Sequence, residues 1–250
     1  IGYVAAYCNK IHGSKVEIVL FKYLEELEQA IIDSPPDIIG LSNYAWNQNI
    51  GIEMFKLARQ KNPDILTVWG GPNFPIDFPS QQKFMMKYHV VDVYVPLEGE
   101  LGFSNIVATA LNAKQKNDIR TQVISQLIDG CVVRDKNNKL QYSGPGLRTN
   151  ALDDIPSPYL TGIFDKFFDG RLSPLMQTNR GCPFQCTFCT DGIDEKQKVN
   201  QFSLDRVYSE INYVGEHIPK KTSMLLLADL NFGMMPRDRK ICEALAETQK

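Results

Sequence analysis

At 250 residues the chain exceeds one average domain, and a hydrophobic share of 43% supplies apolar surface for more than one core, so two domains are expected. The formal net charge is −2, with Lys, Arg, Asp and Glu scattered rather than gathered into runs, which leaves no nucleic-acid-binding stripe and no acidic tail. No stretch approaches the roughly 20 continuous apolar residues that span a bilayer, and the first residues lack a signal-peptide pattern, so a soluble cytoplasmic protein without membrane partners is expected.

Ile1, Val4, Ala5, Cys8 and Ile11 recur at helical spacing, so the chain opens inside an amphipathic helix. Residues 16–21 read as a strand and 23–33 as a helix that Pro35-Pro36 breaks. Residues 37–42 (DIIGLS) form a short, nearly all-apolar run of the kind buried on both faces of a sheet. A helix over 49–61 is stopped by Asn62-Pro63-Asp64, residues 65–69 form a second buried strand, and Gly70-Gly71-Pro72 makes a turn. A helix around 80–88 leads to a strand at 90–95, and Glu98-Gly99-Glu100 opens a helix to about Leu111. This alternation predicts an α/β fold with a doubly wound, Rossmann-like parallel sheet over residues 1–128.

Residues 129–174 read differently. The segments 130–134 and 139–143 flank a polar turn, which predicts a β-hairpin, and Pro145, Pro156 and Pro158 then mark an extended linker. Alternation resumes at Leu175: a strand to Thr178, a cysteine-bearing loop, a helix over 203–217 with Ser203 able to cap it, a strand at 223–228 and a helix from near Pro236. Only two strand–helix units fit into 175–250. No internal repeat or low-complexity tract is present.

Six cysteines are too few for a disulfide scaffold, and three of them fall within eight positions, which points to metal ligation in a reducing compartment. Cys182, Cys186 and Cys189 stand at C-x3-C-x2-C spacing directly after a predicted strand, so one short loop can turn all three sulfurs toward one point. Thiolates suit zinc or iron–sulfur clusters, and structural zinc requires a fourth ligand, which no nearby Cys or His offers. Three ligands on a four-iron cluster leave one iron open for substrate. Arg180 and loop amides offset part of the thiolate charge. Structural zinc and a purely electron-transferring cluster stay open at this point. His12, His89 and His217 are isolated, and Cys8, Cys131 and Cys242 read as free, mostly buried thiols.

The cysteine spacing, with Phe188 just before the last cysteine, resembles the radical S-adenosylmethionine (SAM) superfamily. The resemblance implies a [4Fe-4S] cluster on Cys182, Cys186 and Cys189, with the open iron binding the amino and carboxylate groups of SAM and Phe188 contacting the adenine. One electron, from a donor such as flavodoxin or ferredoxin, then splits SAM into methionine and a 5′-deoxyadenosyl radical. The segment Ala228-Asp229-Leu230-Asn231-Phe232 looks like the Asp-x-x-Phe variant of the cobalamin-associated branch, which makes Asp229 a SAM contact.

The N-terminal part resembles the cobalamin-binding domain found ahead of many radical SAM barrels, through residues 2–7, Leu41-Ser42-Asn43-Tyr44-Ala45-Trp46-Asn47, Trp69-Gly70-Gly71-Pro72, Val95-Pro96-Leu97-Glu98-Gly99-Glu100 and residues 155–159. In such sheets ligands sit beyond the carboxyl ends of the strands. The resemblance implies cobalamin contacts at Ser42, Tyr44, Trp46, Gly70, Gly71, Glu98 and Gly99, with Ser42 near the nucleotide base and the glycines admitting close backbone approach. No Asp-x-His-x-x-Gly cobalt-ligand motif occurs. Residues 175–250 are then the beginning of a (β/α) partial barrel, and the polypeptide is expected to extend past both Ile1 and Lys250.

Taken together, the resemblance implies a cobalamin-dependent radical SAM enzyme of methyltransferase type acting on a small-molecule or peptide substrate that these residues do not identify. A radical SAM oxidoreductase or cyclase with a relic cobalamin domain, and a non-catalytic metal-cluster module, are the alternatives. Two geometric expectations follow: the three sulfurs converge, and Ser42, Gly70 and Gly71 line one crevice.

Overall fold

The computed structural model describes residues 1–144, 146 and 148–248; Pro145 of the expected linker lies outside them. The chain divides into two compact units, 3–148 and 149–250.

In the first unit, helices Gly2–His12 (α1) and Leu24–Asp33 (α2) precede strand Ile38–Ser42 (β1). Then come Gln48–Lys61 (α3), Leu66–Gly70 (β2), Phe78–Lys87 (α4), Val93–Val95 (β3), Gly99–Ala110 (α5), Ile119–Ile124 (α6), Val132–Arg134 (β4) and Leu140–Tyr142 (β5). The strands form one sheet in the order β1-β2-β3-β4-β5, the first three parallel and the hairpin β4–β5 added antiparallel. Because consecutive parallel strands are neighbours, crossovers of one hand put α3 and α4 on the same face. There Ile31, Phe55, Ala58, Trp69, Met85 and Tyr94 form one core, while Ile106, Ala110, Val123 and Ile124 of α5 and α6 cover Val68, Val93 and Val133 on the other. Both faces are thus buried, as the apolar runs require.

Some local expectations are corrected. Residues 16–21 form no strand: only Leu20 is buried and Val19 stands exposed. The hairpin belongs to the first sheet, because β4 supplies the antiparallel partner for β3. Ile1 and Ile11 lie on the outer side of α1, whose buried residues include Ala5, Ala6 and Cys8.

At the amino end of β3, buried Asp92 is held by Arg59 at 2.7 Å and by Arg120 through both carboxylate oxygens, and also accepts from the Thr67 backbone amide and hydroxyl. Removing one partner of such a buried pair strands the others. Asp92→Ala should lower the unfolding free energy of this unit by about 3–5 kcal/mol, measured by denaturant titration.

The second unit contains Leu175–Met176 (β6), Asn179–Arg180 (β7), Asn200–Gln201 (β8), Leu204–His217 (α7), Leu226–Leu227 (β9) and Pro236–Thr248 (α8). β6 runs parallel to β9, and β7 pairs antiparallel with β8. The described residues form no closed barrel. The Tyr159 hydroxyl donates to Leu175 O at 2.9 Å and accepts from Leu175 N at 3.1 Å, so a side chain serves β6 as a strand partner would. Ser203 caps α7 by accepting from Arg206 N, and Val207, Ile211 and Val214 form its buried stripe.

On α7, Arg206 donates to Ile155 O and Leu152 O and pairs with buried Glu210. Burial raises the Glu210 carboxyl above the ordinary glutamate range, partly offset by its bonds to Ser157 and Arg206. An acid raised on folding stabilises most when protonated, so its contribution is fully present below the unfolded value and fades as pH climbs through the folded one. The melting temperature of the parent relative to Glu210→Gln should therefore fall as pH rises above the ordinary glutamate range, measured by thermal scans at a series of pH values.

Candidate functional site

The sheet register brings the carboxyl ends of the three parallel strands level, with Ser42 beside Gly70 and Gly70 beside Val95. Parallel strands end in backbone groups that need partners, and here a buried amide supplies them. Asn43, fully buried, donates from Nδ2 to Asn73 O at 2.9 Å and to the Tyr94 hydroxyl at 3.2 Å, and its Oδ1 accepts from Asn73 Nδ2. The Tyr94 hydroxyl passes on to Gly71 O at 2.8 Å, and burial pushes that phenol far up from its usual range. The turn of residues 70–73 is thereby stitched to the end of β1.

Gly71 has φ +121°, and a Cβ there would stand 2.7 Å from Asn43 O. The close approach this glycine permits is made by the chain itself. Gly70 is different: its Cβ position meets nothing nearer than Val95 O at 3.3 Å. Ser42 pairs with Gly70 at the carboxyl edge of the sheet, and Gly71 follows in the chain. Ser42 is exposed and its hydroxyl accepts from Asn47 Nδ2, while Asn47 Oδ1 accepts from Tyr44 N, which sets the turn carrying Tyr44 and Trp46. Those two rings stack at 4.6 Å with 16° between planes, and Trp46 is 79% exposed, a flat apolar face turned to solvent. Glu98 stands at the start of α5, where its side chain makes no capping bond and instead pairs with Arg148 at 2.8 Å, and Gly99 gives room to Val4. Leu97, just before them, sits at φ +59°, a strained value for a residue with a Cβ.

In the second unit, residues 181–199 form a loop closed at its neck by β7 and β8, and the loop carries all three motif cysteines. Gly181, buried and at φ +105°, begins it; a Cβ there would lie 2.3 Å from Lys198 O. Cys182 N donates to Lys196 O, locking the same crossing. Gly192 lies against the Cys186–Cys189 turn, where a Cβ would come 2.6 Å from Cys186 O. Two sulfurs receive donors: Cys182 from Asn231 Nδ2 at 2.8 Å and Cys189 from Asp191 N at 3.4 Å. Cys186, Cys189 and Phe188 are exposed, Phe188 at 91%.

The expected convergence of sulfurs is not in the polypeptide's own geometry: among the described residues no group of three His, Cys, Asp or Glu side chains is placed to hold a metal ion. Gathering three thiolates costs repulsion that ligand–metal bonds normally supply the free energy to overcome. The donor set nonetheless fits a thiolate-bound cluster, with N–H groups directed at the sulfurs of Cys182 and Cys189 and glycines where the loop crosses itself.

Asp229, expected to face SAM, has both oxygens engaged within the protein. Oδ1 accepts from the amides of Thr178 and Asn179, and Oδ2 from the Thr178 hydroxyl and Asn179 Nδ2. The carboxylate ties the end of β9 to the residues after β6. Cys8 and Cys131 are buried, with thiols pushed up by desolvation, Cys8 to about 11, whereas Cys242 is exposed, contrary to expectation. Asn43, Asn73, Tyr94, Asn47, Asn231 and Gly192 were not singled out by sequence, since amides, a tyrosine within an apolar strand and a lone glycine carry no motif; the glycine pair and the Asp-x-Asn segment were the available signals.

Residues 1–107 match the B12 binding domain family. Over 238 residues, 93% of this chain, the sequence is 33% identical to the cobalamin-dependent radical SAM methyltransferase TokK of Streptomyces tokunonensis and 32% identical to the 2-(S-pantetheinyl)-carbapenam-3-carboxylate methyltransferase of Streptantibioticus cattleyicolor. The chain spans about a third of the length of these relatives, 32% of each. Among solved structures, that of apo OxsB, a cobalamin-dependent S-adenosylmethionine radical enzyme, covers 99% of this chain and is matched over 33% of its own, with a TM-score of 0.64 at 20% identity, a likeness of fold.

Because Gly71 has no space for a side chain and a left-handed backbone, Gly71→Ala should destabilise the first unit by about 1–3 kcal/mol, while Gly70→Ala costs less. Comparative denaturant unfolding of the two variants checks the order.

Proposed function

As the chain belongs to the radical SAM enzymes that carry a cobalamin-binding domain, we propose that it contributes the cobalamin-holding sheet and the cluster-bearing start of the SAM-cleaving part of a methyltransferase. The observation that carries this reading is the loop 181–199, which presents Cys182, Cys186 and Cys189 from a neck closed by β7 and β8. When bound, the cluster supplies one electron to the sulfonium of SAM, and cobalamin carries the methyl group.

The residues present serve these groups as follows. Cys182, Cys186 and Cys189 ligate a [4Fe-4S] cluster, and Phe188, exposed beside the last ligand, offers its ring to the adenine. Asp229 acts by fixing Thr178 and Asn179, hence the point from which the loop departs, rather than by direct contact. At the carboxyl edge of the first sheet, the exposed Ser42 hydroxyl, the Gly70 backbone and the stacked Tyr44–Trp46 pair receive the corrinoid, while Asn43 and Gly71 hold the turn beside it. A flat ring pair suits a flat apolar ligand surface. A small protein donor such as flavodoxin or ferredoxin delivers the electron, and the substrate is a small molecule or peptide.

The test is anaerobic reconstitution with iron and sulfide, followed by assay of 5′-deoxyadenosine release and of corrinoid absorbance in the purified protein. Cys182→Ala, Cys186→Ala and Cys189→Ala should each reduce 5′-deoxyadenosine to background. Parent-like release by any of the three removes the cluster assignment, and a corrinoid-free protein that still cleaves SAM favours the relic-domain reading.

A further inference from the structure

The segment after β9 is held at both ends. Asp229 takes four hydrogen bonds from Thr178 and Asn179, and Asp238, nearly fully buried, accepts from Gly233 N at 2.8 Å and Met235 N at 2.9 Å. Arg237 further donates to Gln201 Oε1 on β8, the strand that closes the neck of the cysteine loop. Between these anchors Asn231 extends its carboxamide to Cys182 Sγ at 2.8 Å. Neutral side-chain amides in a solvent-accessible turn have water as a partner, so a geometry that spends this N–H on sulfur is set by the two flanking anchors.

We propose that Asn231 is a positioning residue for the cluster: its N–H fixes the rotamer of Cys182 and stabilises negative charge on that sulfur, which makes the cluster easier to reduce. Reduction adds one electron to a cluster already carrying anionic thiolates, so a donor directed at a ligand sulfur favours the reduced state more than the oxidised one. The inference deepens the cluster reading and rests on it.

The experiment compares the parent with Asn231→Leu, which keeps the shape without a donor, Asn231→Asp, which replaces the donor by a carboxylate, and Asn231→Gln, which retains the amide. Each protein is reconstituted anaerobically, its iron and sulfide are counted, and its cluster is titrated against potential by electron paramagnetic resonance. The ratio of reduced to oxidised cluster at a fixed potential should drop three- to tenfold in Asn231→Leu, tenfold being about 59 mV for a one-electron couple. It should drop further in Asn231→Asp and recover at least in part in Asn231→Gln. Loss of iron from Asn231→Leu and Asn231→Asp but not from Asn231→Gln also supports the proposal, because the donor is what separates them. Equal iron content and equal midpoint potential across all four proteins overturn it. Failure of the underlying reading is seen separately, as a parent protein that assembles no cluster signal.

Discussion

The carboxylate of Asp229 accepts four hydrogen bonds from two consecutive residues, Thr178 and Asn179, and the placement of the cysteine loop depends on them. β6 and β9 pair over only two residues each, too little ladder to fix by itself where the chain leaves the sheet. A charged acceptor with both oxygens engaged converts that short pairing into a defined strand end. Arg180 and Gly181 follow at once, so an error in the strand end would propagate directly into Cys182.

The same device recurs in the first unit with an amide in place of a carboxylate. Asn43 follows the last residue of β1 and ties the turn after β2, as Asp229 follows the end of β9 and ties the residues after β6. The difference in chemistry suits the difference in surroundings. Asn43 is wholly buried against Tyr94, where an unpaired charge would carry a heavy desolvation cost, whereas Asp229 is only half-buried and faces two backbone amides that a carboxylate satisfies better.

Legibility in the sequence followed the length scale of the interaction. The parallel strands and their helices were readable because apolar periodicity is local, and the C-x3-C-x2-C loop because its chemistry is written in one stretch. Residues 16–21 misled because strand-favouring residues report only a local preference, and a strand also needs a ladder of backbone pairs. The assignment of Gly71 to ligand approach was reasonable from the turn alone, yet the atom that fills its Cβ position is Asn43 O, brought there by strand pairing. Asn231 was hidden for the same reason: its partner Cys182 lies 49 positions away, brought near by the parallel pairing of β6 with β9 and by the bonds of Asp229 to Thr178 and Asn179.

The loop itself shows why rigidity stops short of the thiols. Its neck is over-determined, by β7–β8 pairing, by Cys182 N on Lys196 O and by a glycine that nothing larger can replace at 181. Beyond the neck, Phe184, Cys186, Phe188 and Cys189 bury little surface, so no apolar core fixes their positions. A sulfur that must meet iron at a defined bond length gains from freedom of a few tenths of an ångström, since metal–ligand bonds are strong enough to order a short segment. Cys182 stands at the boundary between the two regimes, half-buried and already bonded to Asn231. Under the cluster reading proposed above, it is therefore the thiol with least adjustment left to make, and Cys186 and Cys189 are the ones that would close onto it.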